Sequence, residues 1–412
     1  MKKYIFLVLF AAIAAIGCSH KDILIQKNIE HAENQLSMLI PACDTEDGLK
    51  IPSTFRDGKV IFTHKKDWVS GFYAGTLWYM YELTGKEEYA MQAQKHTEHL
   101  HDIQYLTSHH DIGFMIGNSY GNGLRLKDIE GYDTVLVNAA RSLATRYRPA
   151  AGVIQSWNIS GKNWQSKRGW KCPVIIDNLM NLELLFKASL ISKDNSFRDI
   201  AVSHADKTLI NHYRKDYSTY HVVDYDDQTG EIRSRCTAQG IADESSWARG
   251  QAWSLYGLAI LYRYTEDDRY LQMAKNVAEY LYVKEENMPE DLIPLWDFHT
   301  VEYAENSPFF QPYTTQRDVS SAAICASALY EIHWHTKDAF YKKTADRILE
   351  SLSSAPYISE PGTNGGFILQ HSVGSIPHGG NIDVPLNYAD YYFLEALLRK
   401  SKIEDGVAPI SL

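Results

Sequence analysis

Apolar stretches of helical length recur along the chain. Each opens on a polar or acidic residue, continues as a stripe rich in Leu, Ala, Gly and Tyr, and ends in a short charged turn before a second helical stretch. Clear copies begin at Asp67, Ile175, Trp247 and Asp318, a truncated one at Val384 and a weaker one at Asp128. Intervals of roughly 50 to 70 residues suit two helices with their connections, so the pattern predicts an array of six helix pairs.

The two helices of each pair differ in how their apolar residues are distributed. The first is apolar around most of its circumference, as a helix can be only when it is buried, whereas the second, as in 87–103 and 268–283, is amphipathic. Six buried helices inside six half-exposed ones predict an all-α fold, a closed double ring in one domain over residues 28–403. The segment HVVDYDDQTGEIRS predicts one small β-hairpin with Gly230 in its turn.

The N-terminal residues predict export. They have a basic start, an apolar run too short to span a membrane, and small residues before Cys18. Because Ala15-Ile16-Gly17-Cys18 looks like a bacterial lipobox, we expect residues 1–17 to be a lipoprotein signal peptide, cleaved before a lipidated Cys18; an ordinary secretory signal is the alternative. Residues 18–27 would then form a tether and 404–412 a C-terminal tail. The protein would lie in the periplasm, held to the membrane by its lipid anchor alone.

Composition narrows the class of partner. A net charge of −10, without a dense run of Lys or Arg, is not typical of proteins that bind nucleic acid or an anionic membrane surface. The 27 Tyr and 9 Trp suit stacking on sugar faces, although they also fill large helical cores. The other four cysteines lack the paired spacing of a metal or redox motif, and we interpret them as core thiols with a disulfide left open: Cys43, Cys172, Cys236 and Cys325.

A ring of helix pairs brings the starts of its inner helices together at one mouth. The segment SHHDIGFMIGNSYGNGL, 108–124, is interpreted as a glycine-rich loop that lowers Asp111 into this mouth. Adjacent histidines such as His109 and His110 cannot easily point at one ion, so we expect no metal. Asp177 stands alone at an apolar helix start, where burial raises its pKa and the helix N-terminus opposes the rise; it is either a general acid or a plain N-cap.

A buried cation is predicted at the same mouth. Arg249 lies between Trp247 and Trp253 in a segment otherwise committed to the core, and a buried guanidinium needs an anion. That anion is either an internal acid or a carboxylate of the substrate. His221 is either a satisfied core histidine or a hydrogen-bond donor at the rim.

Six segments carry a family resemblance. They are Lys66-Asp67-Trp68 with Gly71, then HDIGF (110–114), IDNLM (176–180), HVVDY (221–225), WARGQAW (247–253) and residues 385–395. In this order, and over nearly the whole mature chain, they resemble the unsaturated glucuronyl hydrolases of glycoside hydrolase family 88. The resemblance implies an (α/α)6 toroid with no metal and no cofactor.

The resemblance also implies a reaction. Such enzymes act on glycosaminoglycan-type oligosaccharides left by polysaccharide lyases, whose non-reducing end is a 4,5-unsaturated uronic acid, and they hydrate its vinyl ether. By resemblance Asp177 is the proton donor and water activator, and Asp111 is the second catalytic carboxylate. The residues that would bind substrate by the same resemblance are Trp68, His110, His221, Thr237, Gln239, Arg249, Trp253, Ser372 and Ser375.

Two alternatives remain beside this hypothesis. The sister family of unsaturated rhamnogalacturonyl hydrolases shares the fold and chemistry but acts on pectin fragments. A lipoprotein that binds glycans without cleaving them would need a lost catalytic carboxylate, and both carboxylates are present. A basic residue expected just beyond Ser375 is replaced by Pro377, which weakens the expectation of a preference for sulfated galactosamine. We expect a monomer.

Overall fold

Helices account for most of the fold. The computed structural model describes residues 23–284, 288–305 and 307–410. The helices within these ranges are α1 (Ile23–Cys43), α2 (Phe72–Thr84), α3 (Glu87–Glu98), α4 (Asn118–Lys127), α5 (Tyr132–Ala144), α6 (Trp164–Lys167), α7 (Asn178–Ser192), α8 (Asn195–Asn211), α9 (Ala248–Thr265), α10 (Asp268–Tyr282), α11 (Thr300–Ala304), α12 (Val319–Thr336), α13 (Ala339–Leu352) and α14 (Asn387–Glu404).

Six helices form a closed inner ring. In order around the ring they are α2, α4, α7, α9, α12 and α14, and α14 returns to contact α2. The helices α3, α8, α10 and α13 each pack outside the inner helix that precedes them, while α5 packs against α4 and α7. The predicted (α/α)6 toroid is therefore confirmed.

The inner helices are buried on all sides, as their composition predicts. Every residue from Ala248 to Leu261 in α9, from Val319 to Ile332 in α12 and from Asn387 to Lys400 in α14 is buried. Polar side chains nevertheless connect the inner helices to one another. The Glu395 carboxylate of α14 accepts hydrogen bonds from Tyr79 of α2, Tyr256 of α9 and Ser327 of α12.

The second inner helix is formed by residues that the sequence pattern assigns to a loop. Gly113–Gly117 form one π-helical turn that leads directly into α4. The weaker repeat copy beginning at Asp128 forms α5, an amphipathic outer helix. Here the glycines permit close packing: a Cβ at Gly113 would lie 2.6 Å from Asn181 of α7, and one at Gly123 2.5 Å from the Tyr132 ring of α5. The loop prediction was therefore wrong.

Short strands lie in the connections that precede inner helices. The predicted hairpin is confirmed as β8 (Val222–Tyr225) and β9 (Ile232–Cys236), with Gly230 at φ 76°. The observed sheet is larger than the predicted hairpin, because β7 (Cys172–Ile175) pairs with β8 as a third antiparallel strand. Four two-stranded antiparallel sheets also occur in the described residues: β1 (Asp44–Thr45) with β2 (Gly48–Leu49), β3 (Ile51–Arg56) with β4 (Lys59–Thr63), β5 (Tyr147–Arg148) with β6 (Val153–Ile154), and β10 (Ser372–Ser375) with β11 (Gly380–Val384).

The ends of the fold differ slightly from the predicted boundaries. Helix α1 begins at Ile23, so residues 23–27 of the predicted tether are helical, while the predicted signal peptide and Cys18 lie outside the described residues. Helix α14 ends at Glu404, close to the predicted end of the domain. Among the described helices, none is long and apolar enough to cross a bilayer. The four cysteines of the described chain are buried free thiols.

Candidate active site

Asp177 lies at the ring mouth, at the N-terminal end of an inner helix. It occupies the position before the first residue of α7, yet its side chain makes no capping hydrogen bond. Its Oδ2 is buried and has no hydrogen-bond partner among the described residues. The plain N-cap interpretation therefore fails, and the carboxyl group is left available to another molecule.

Burial controls the ionisation of Asp177. Loss of hydration raises its pKa to about 7, the Arg249 guanidinium opposes the rise, and the Asp111 carboxylate adds to it. Because a general acid works best when its pKa lies near the working pH, Asp177 can both hold and release a proton near neutrality.

His221 directs a donor toward the same carboxyl group. Its Nδ1 accepts hydrogen bonds from the backbone N–H of Ala238 (3.1 Å) and Gln239 (3.2 Å), so the ring proton resides on Nε2. That Nε2 lies 3.7 Å from Asp177 Oδ2. Burial, reinforced by the charge of Arg249, holds the pKa of His221 well below its usual range. His221 is therefore a neutral donor at the mouth.

Asp111 lies just before the π-helical turn and is flanked by both preceding histidines. Its Oδ2 is 3.1 Å from His109 Nδ1 and its Oδ1 is 3.3 Å from His110 Nε2. Burial alone favours the protonated acid, but the histidine neighbours outweigh it and hold the pKa of Asp111 below its ordinary value. At neutral pH the site thus presents one anionic and one proton-bearing carboxyl group.

Arg249 is paired inside the protein. Its Nη1 lies 3.2 Å from Asp318 Oδ2 and also donates to the Val373 carbonyl, and its Nη2 donates to the Gly374 carbonyl at 2.6 Å. Of the two predicted partners, the structure therefore shows the internal acid. The guanidinium is almost fully buried but borders a solvent-open cleft, and its Cζ lies 4.5 Å from the Trp247 ring centroid.

A cleft open to solvent borders Arg249. It has a volume of about 210 Å³, and its walls include Trp68, Gln239, Arg249, Ser375 and Tyr388 but neither of the two carboxyl groups. The rings of Trp68 and Tyr388 lie 4.9 Å apart and form one side. Four residues predicted to bind substrate therefore share a single surface.

Two predicted binding residues are buried away from the cleft. Trp253 is 0% exposed and packs against Phe114 and Tyr392, because α9 turns this position toward the ring axis. Its ring is not exposed to the cleft in this structure, and its role as a stacking wall stays a prediction. Ser372 is likewise 0% exposed, whereas Ser375 reaches the cleft and its Oγ lies 2.7 Å from His378 Nδ1.

The other predicted binding residues are partly engaged by the protein itself. Thr237 Oγ1 accepts from the Gly240 N–H at 2.8 Å and so shapes the turn that caps His221. Gln239 Nε2 donates to the Gly374 carbonyl at 3.2 Å. His110 is fully buried and contacts the site through Asp111.

An aromatic cluster beside the site escaped the sequence analysis. Trp157 and Trp170 stack with ring centroids 5.8 Å apart, and Trp164 lies 5.3 Å from Trp157. The cluster continues to His378 through Trp164 and to His221 through Trp157. Three tryptophans within fourteen residues, 157–170, were the available signal.

Comparisons with known proteins identify the family of this chain. The family model described as Glycosyl Hydrolase Family 88 matches residues 49–264. An unsaturated glucuronyl hydrolase of Formosa agariphila is 42% identical, over 82% of this chain and 81% of that protein. An unsaturated chondroitin disaccharide hydrolase of Streptococcus pyogenes is 32% identical, over 84% of each chain.

Solved structures extend the likeness to the whole toroid. The crystal structure of an unsaturated glucuronyl hydrolase specific for heparin superposes with a TM-score of 0.84 and 41% identity, covering 93% of this chain and 98% of that one. The structure of the unsaturated glucuronyl hydrolase from Bacillus sp. GL1 gives 0.80 and 30%, covering 93% and 97%. The resemblance found in the sequence motifs is thereby confirmed, and the chain belongs to glycoside hydrolase family 88.

Proposed function

We propose that this glycosidase removes a 4,5-unsaturated uronic acid from the non-reducing end of oligosaccharides that a polysaccharide lyase has produced. The observation that carries the proposal is the unequal pair of carboxyl groups, Asp177 with its pKa raised to about 7 and Asp111 with its pKa lowered. Separated proton affinities divide acid from anion roles between two carboxyl groups in one site.

The chemistry proceeds by hydration of the C4=C5 vinyl ether. Asp177 delivers its proton to C4, and positive charge develops at C5 and the ring oxygen. The Asp111 carboxylate stabilises this charge, as a fixed anion beside a developing cation does. Asp177, now ionised, accepts a proton from the water that adds at C5, and the resulting hemiketal opens the ring and releases the remaining sugars.

The cleft walls supply the binding groups. Trp68, supported from behind by the buried Tyr388 ring, offers a ring face for a sugar, and His221 Nε2–H offers a donor next to Asp177. Arg249 borders the cleft with its charge paired to Asp318, and its Nε–H has no hydrogen-bond partner among the described residues. This N–H is a donor that a uronate carboxylate could accept.

Glycosaminoglycan fragments are the proposed substrate class. The names of the relatives specify glucuronyl, chondroitin disaccharide and heparin substrates. Ser375, His378 and Trp164 lie together on the open side of the site, where a second sugar would rest. Pectin fragments are the alternative class of substrate, and the substrate panel should include them.

The test follows the ultraviolet absorbance of the unsaturated uronate. We expect the purified protein to abolish it in a panel of lyase-generated disaccharides that differ in linkage and sulfate position, and to do so equally after treatment with a metal chelator. Activity confined to unsaturated rhamnogalacturonyl disaccharides would show that pectin fragments, not glycosaminoglycan fragments, are the substrates. Saturable binding without any loss of absorbance would show that the protein binds glycans and does not cleave them.

We also propose that the mature protein is a monomer tethered to a membrane of the periplasm through lipidated Cys18. The small residues before Cys18 and the polar sequence after it support this assignment. Labelling of cells with a palmitate analogue should mark the wild type and not Cys18→Ala, which should become soluble in the periplasm. Soluble, unlabelled wild-type protein would favour an ordinary secretory signal. Size-exclusion chromatography of the released form tests the oligomeric state.

A further inference from the structure

His109 has a different arrangement from the other histidine beside Asp111. Its Nε2 lies 3.2 Å from the Lys66 carbonyl oxygen, which can only accept a hydrogen bond, so this nitrogen carries a proton. Its Nδ1 lies 3.1 Å from Asp111 Oδ2, which accepts when ionised. Both ring nitrogens thus face acceptors, and only the doubly protonated imidazolium satisfies both.

The neutral ring has another hydrogen bond available. His109 Nδ1 also lies 3.3 Å from the backbone nitrogen of Asp111, whose N–H can donate to an unprotonated Nδ1. Loss of one proton therefore exchanges a charge-assisted bond to the carboxylate for a bond to the main chain. The carboxylate oxygen then loses its cationic partner while its backbone stays in place.

We propose that His109 is a positioning residue for catalysis, an imidazolium that bridges the Lys66 carbonyl and the Asp111 carboxylate and keeps that carboxylate ionised and oriented. Lys66 immediately precedes Asp67 and Trp68, so the bridge also joins the Asp111 segment to the loop that forms one cleft wall. The proposal rests on the role of Asp111 in the proposed function.

The charged groups around His109 are consistent with this state. Burial disfavours the imidazolium, and the buried Arg146 guanidinium also opposes it, but the hydrogen bond and charge of Asp111 and the Lys66 carbonyl outweigh both and raise the pKa of His109. His110, on the other side of Asp111, stays neutral because complete burial lowers its pKa. The pKa values of the two histidines therefore shift in opposite directions, and His109 is the one whose pKa is raised.

The first experiment follows the imidazole nitrogens of His109 by NMR, with the resonance assigned by its absence from His109→Asn. We expect two protonated nitrogens at neutral pH and a pKa above the ordinary 6.5. In Asp111→Asn the pKa of His109 should fall by about one unit or more, the usual effect of removing an adjacent opposite charge. A neutral ring at neutral pH, or a pKa that Asp111→Asn leaves unchanged, would overturn the proposal without reference to activity.

The second experiment measures kcat/KM against pH for His109→Gln, whose amide can still donate to Lys66 but carries no charge. Because the cation depresses the pKa of Asp111, its removal should move the acidic limb of the profile to higher pH by about one unit. The alkaline limb set by Asp177 should stay in place. His333→Gln, at the far end of α12, is the matched control and should leave both limbs unchanged.

A uniform loss of activity at every pH, with a lowered melting temperature, would reduce His109 to a structural role. If the wild type turned over no unsaturated uronate at all, the proposed function would fail, and the NMR titration would still decide the state of His109.

Discussion

Asp111 and Asp177 are the same side chain in two different surroundings. Asp111 has histidine nitrogens 3.1 and 3.3 Å from its two oxygens, whereas Asp177 Oδ2 has only a neutral ring nitrogen 3.7 Å away. Neighbours at hydrogen-bonding distance favour the anion, and burial without them favours the acid. The division of roles therefore follows from which partners each carboxyl group has.

At this scale we expect Asp177→Asn to abolish turnover with little change in KM, since the amide keeps the shape and loses the transferable proton. The fall in kcat should be at least about 100-fold, the usual contribution of a positioned acid. Asp199→Asn, on the exposed face of α8, is the control and should be fully active. Retention of a tenth or more of the wild-type rate would remove Asp177 from the role of acid.

The raised pKa of Asp177 also affects the stability of the protein. In the unfolded chain this carboxyl group has its ordinary pKa of 3.8, whereas in the folded protein burial raises its pKa to about 7. Its contribution to folding is therefore full below 3.8 and is lost as pH rises through that window. Asp177→Asn should raise the melting temperature relative to wild type more at about pH 8 than at about pH 5. A difference independent of pH would show that Asp177 is not desolvated in solution.

Arg249 is predicted to act mainly on stability, because its partners are internal. Arg249→Ala leaves Asp318 buried without its cation and should cost about 3 to 5 kcal/mol of unfolding free energy. Arg249→Lys should recover little, since an ammonium cannot bond both Asp318 and the Gly374 carbonyl. Urea unfolding measures the cost, with Asp318→Asn in a double-mutant cycle. A normal stability with a strongly raised KM would instead assign Arg249 to the substrate carboxylate.

At the scale of elements, the inner helix that begins with a π-helical turn depends on glycines for its packing. Gly123→Ala would put a methyl group 2.5 Å from the Tyr132 ring, and such overpacking usually costs about 1 to 3 kcal/mol. Gly121→Ala in the same helix meets nothing closer than Lys187 Nζ at 3.5 Å and should be neutral or stabilising. Thermal unfolding of both variants checks the contrast, and equal effects would contradict it.

The errors made from sequence at this scale have identifiable causes. The glycines of 113–123 were interpreted as marking a loop, although they mark the places where α7 approaches the π-helical turn and α5 approaches α4. The β3–β4 hairpin was missed even though Asp57-Gly58, both with positive φ, is a strong two-residue hairpin signal. The local sequence pattern alone does not show whether a glycine is needed for a turn or for close packing against another helix.

For the whole molecule, the recurring apolar stripes predicted a ring of buried helices inside half-exposed ones, because a helix that is apolar on all sides has to be buried. The weakest copy was nevertheless assigned to the inner layer, although it forms the outer helix α5. Asp177 was also predictable, since an isolated carboxylate in an apolar segment is conspicuous, and Asp111 was marked by the two histidines that precede it. The pairing of Arg249 with Asp318 and the burial of Trp253 depend on side chains that are far apart in sequence. No local pattern contains that information.

The closure of the inner ring by α14 has a consequence for the order in which the protein is made. Helix α14 fills the space between α12 and α2, and its Glu395 accepts hydrogen bonds from helices encoded up to 316 residues earlier. Of the six inner helices, α2 is synthesised first and α14 last. Until synthesis is nearly complete, the sides of α2 and α12 that face α14 in the folded protein therefore remain uncovered. Exposed apolar faces on incomplete chains attract chaperones and one another. The inner ring can therefore close only after the last of its helices has been synthesised.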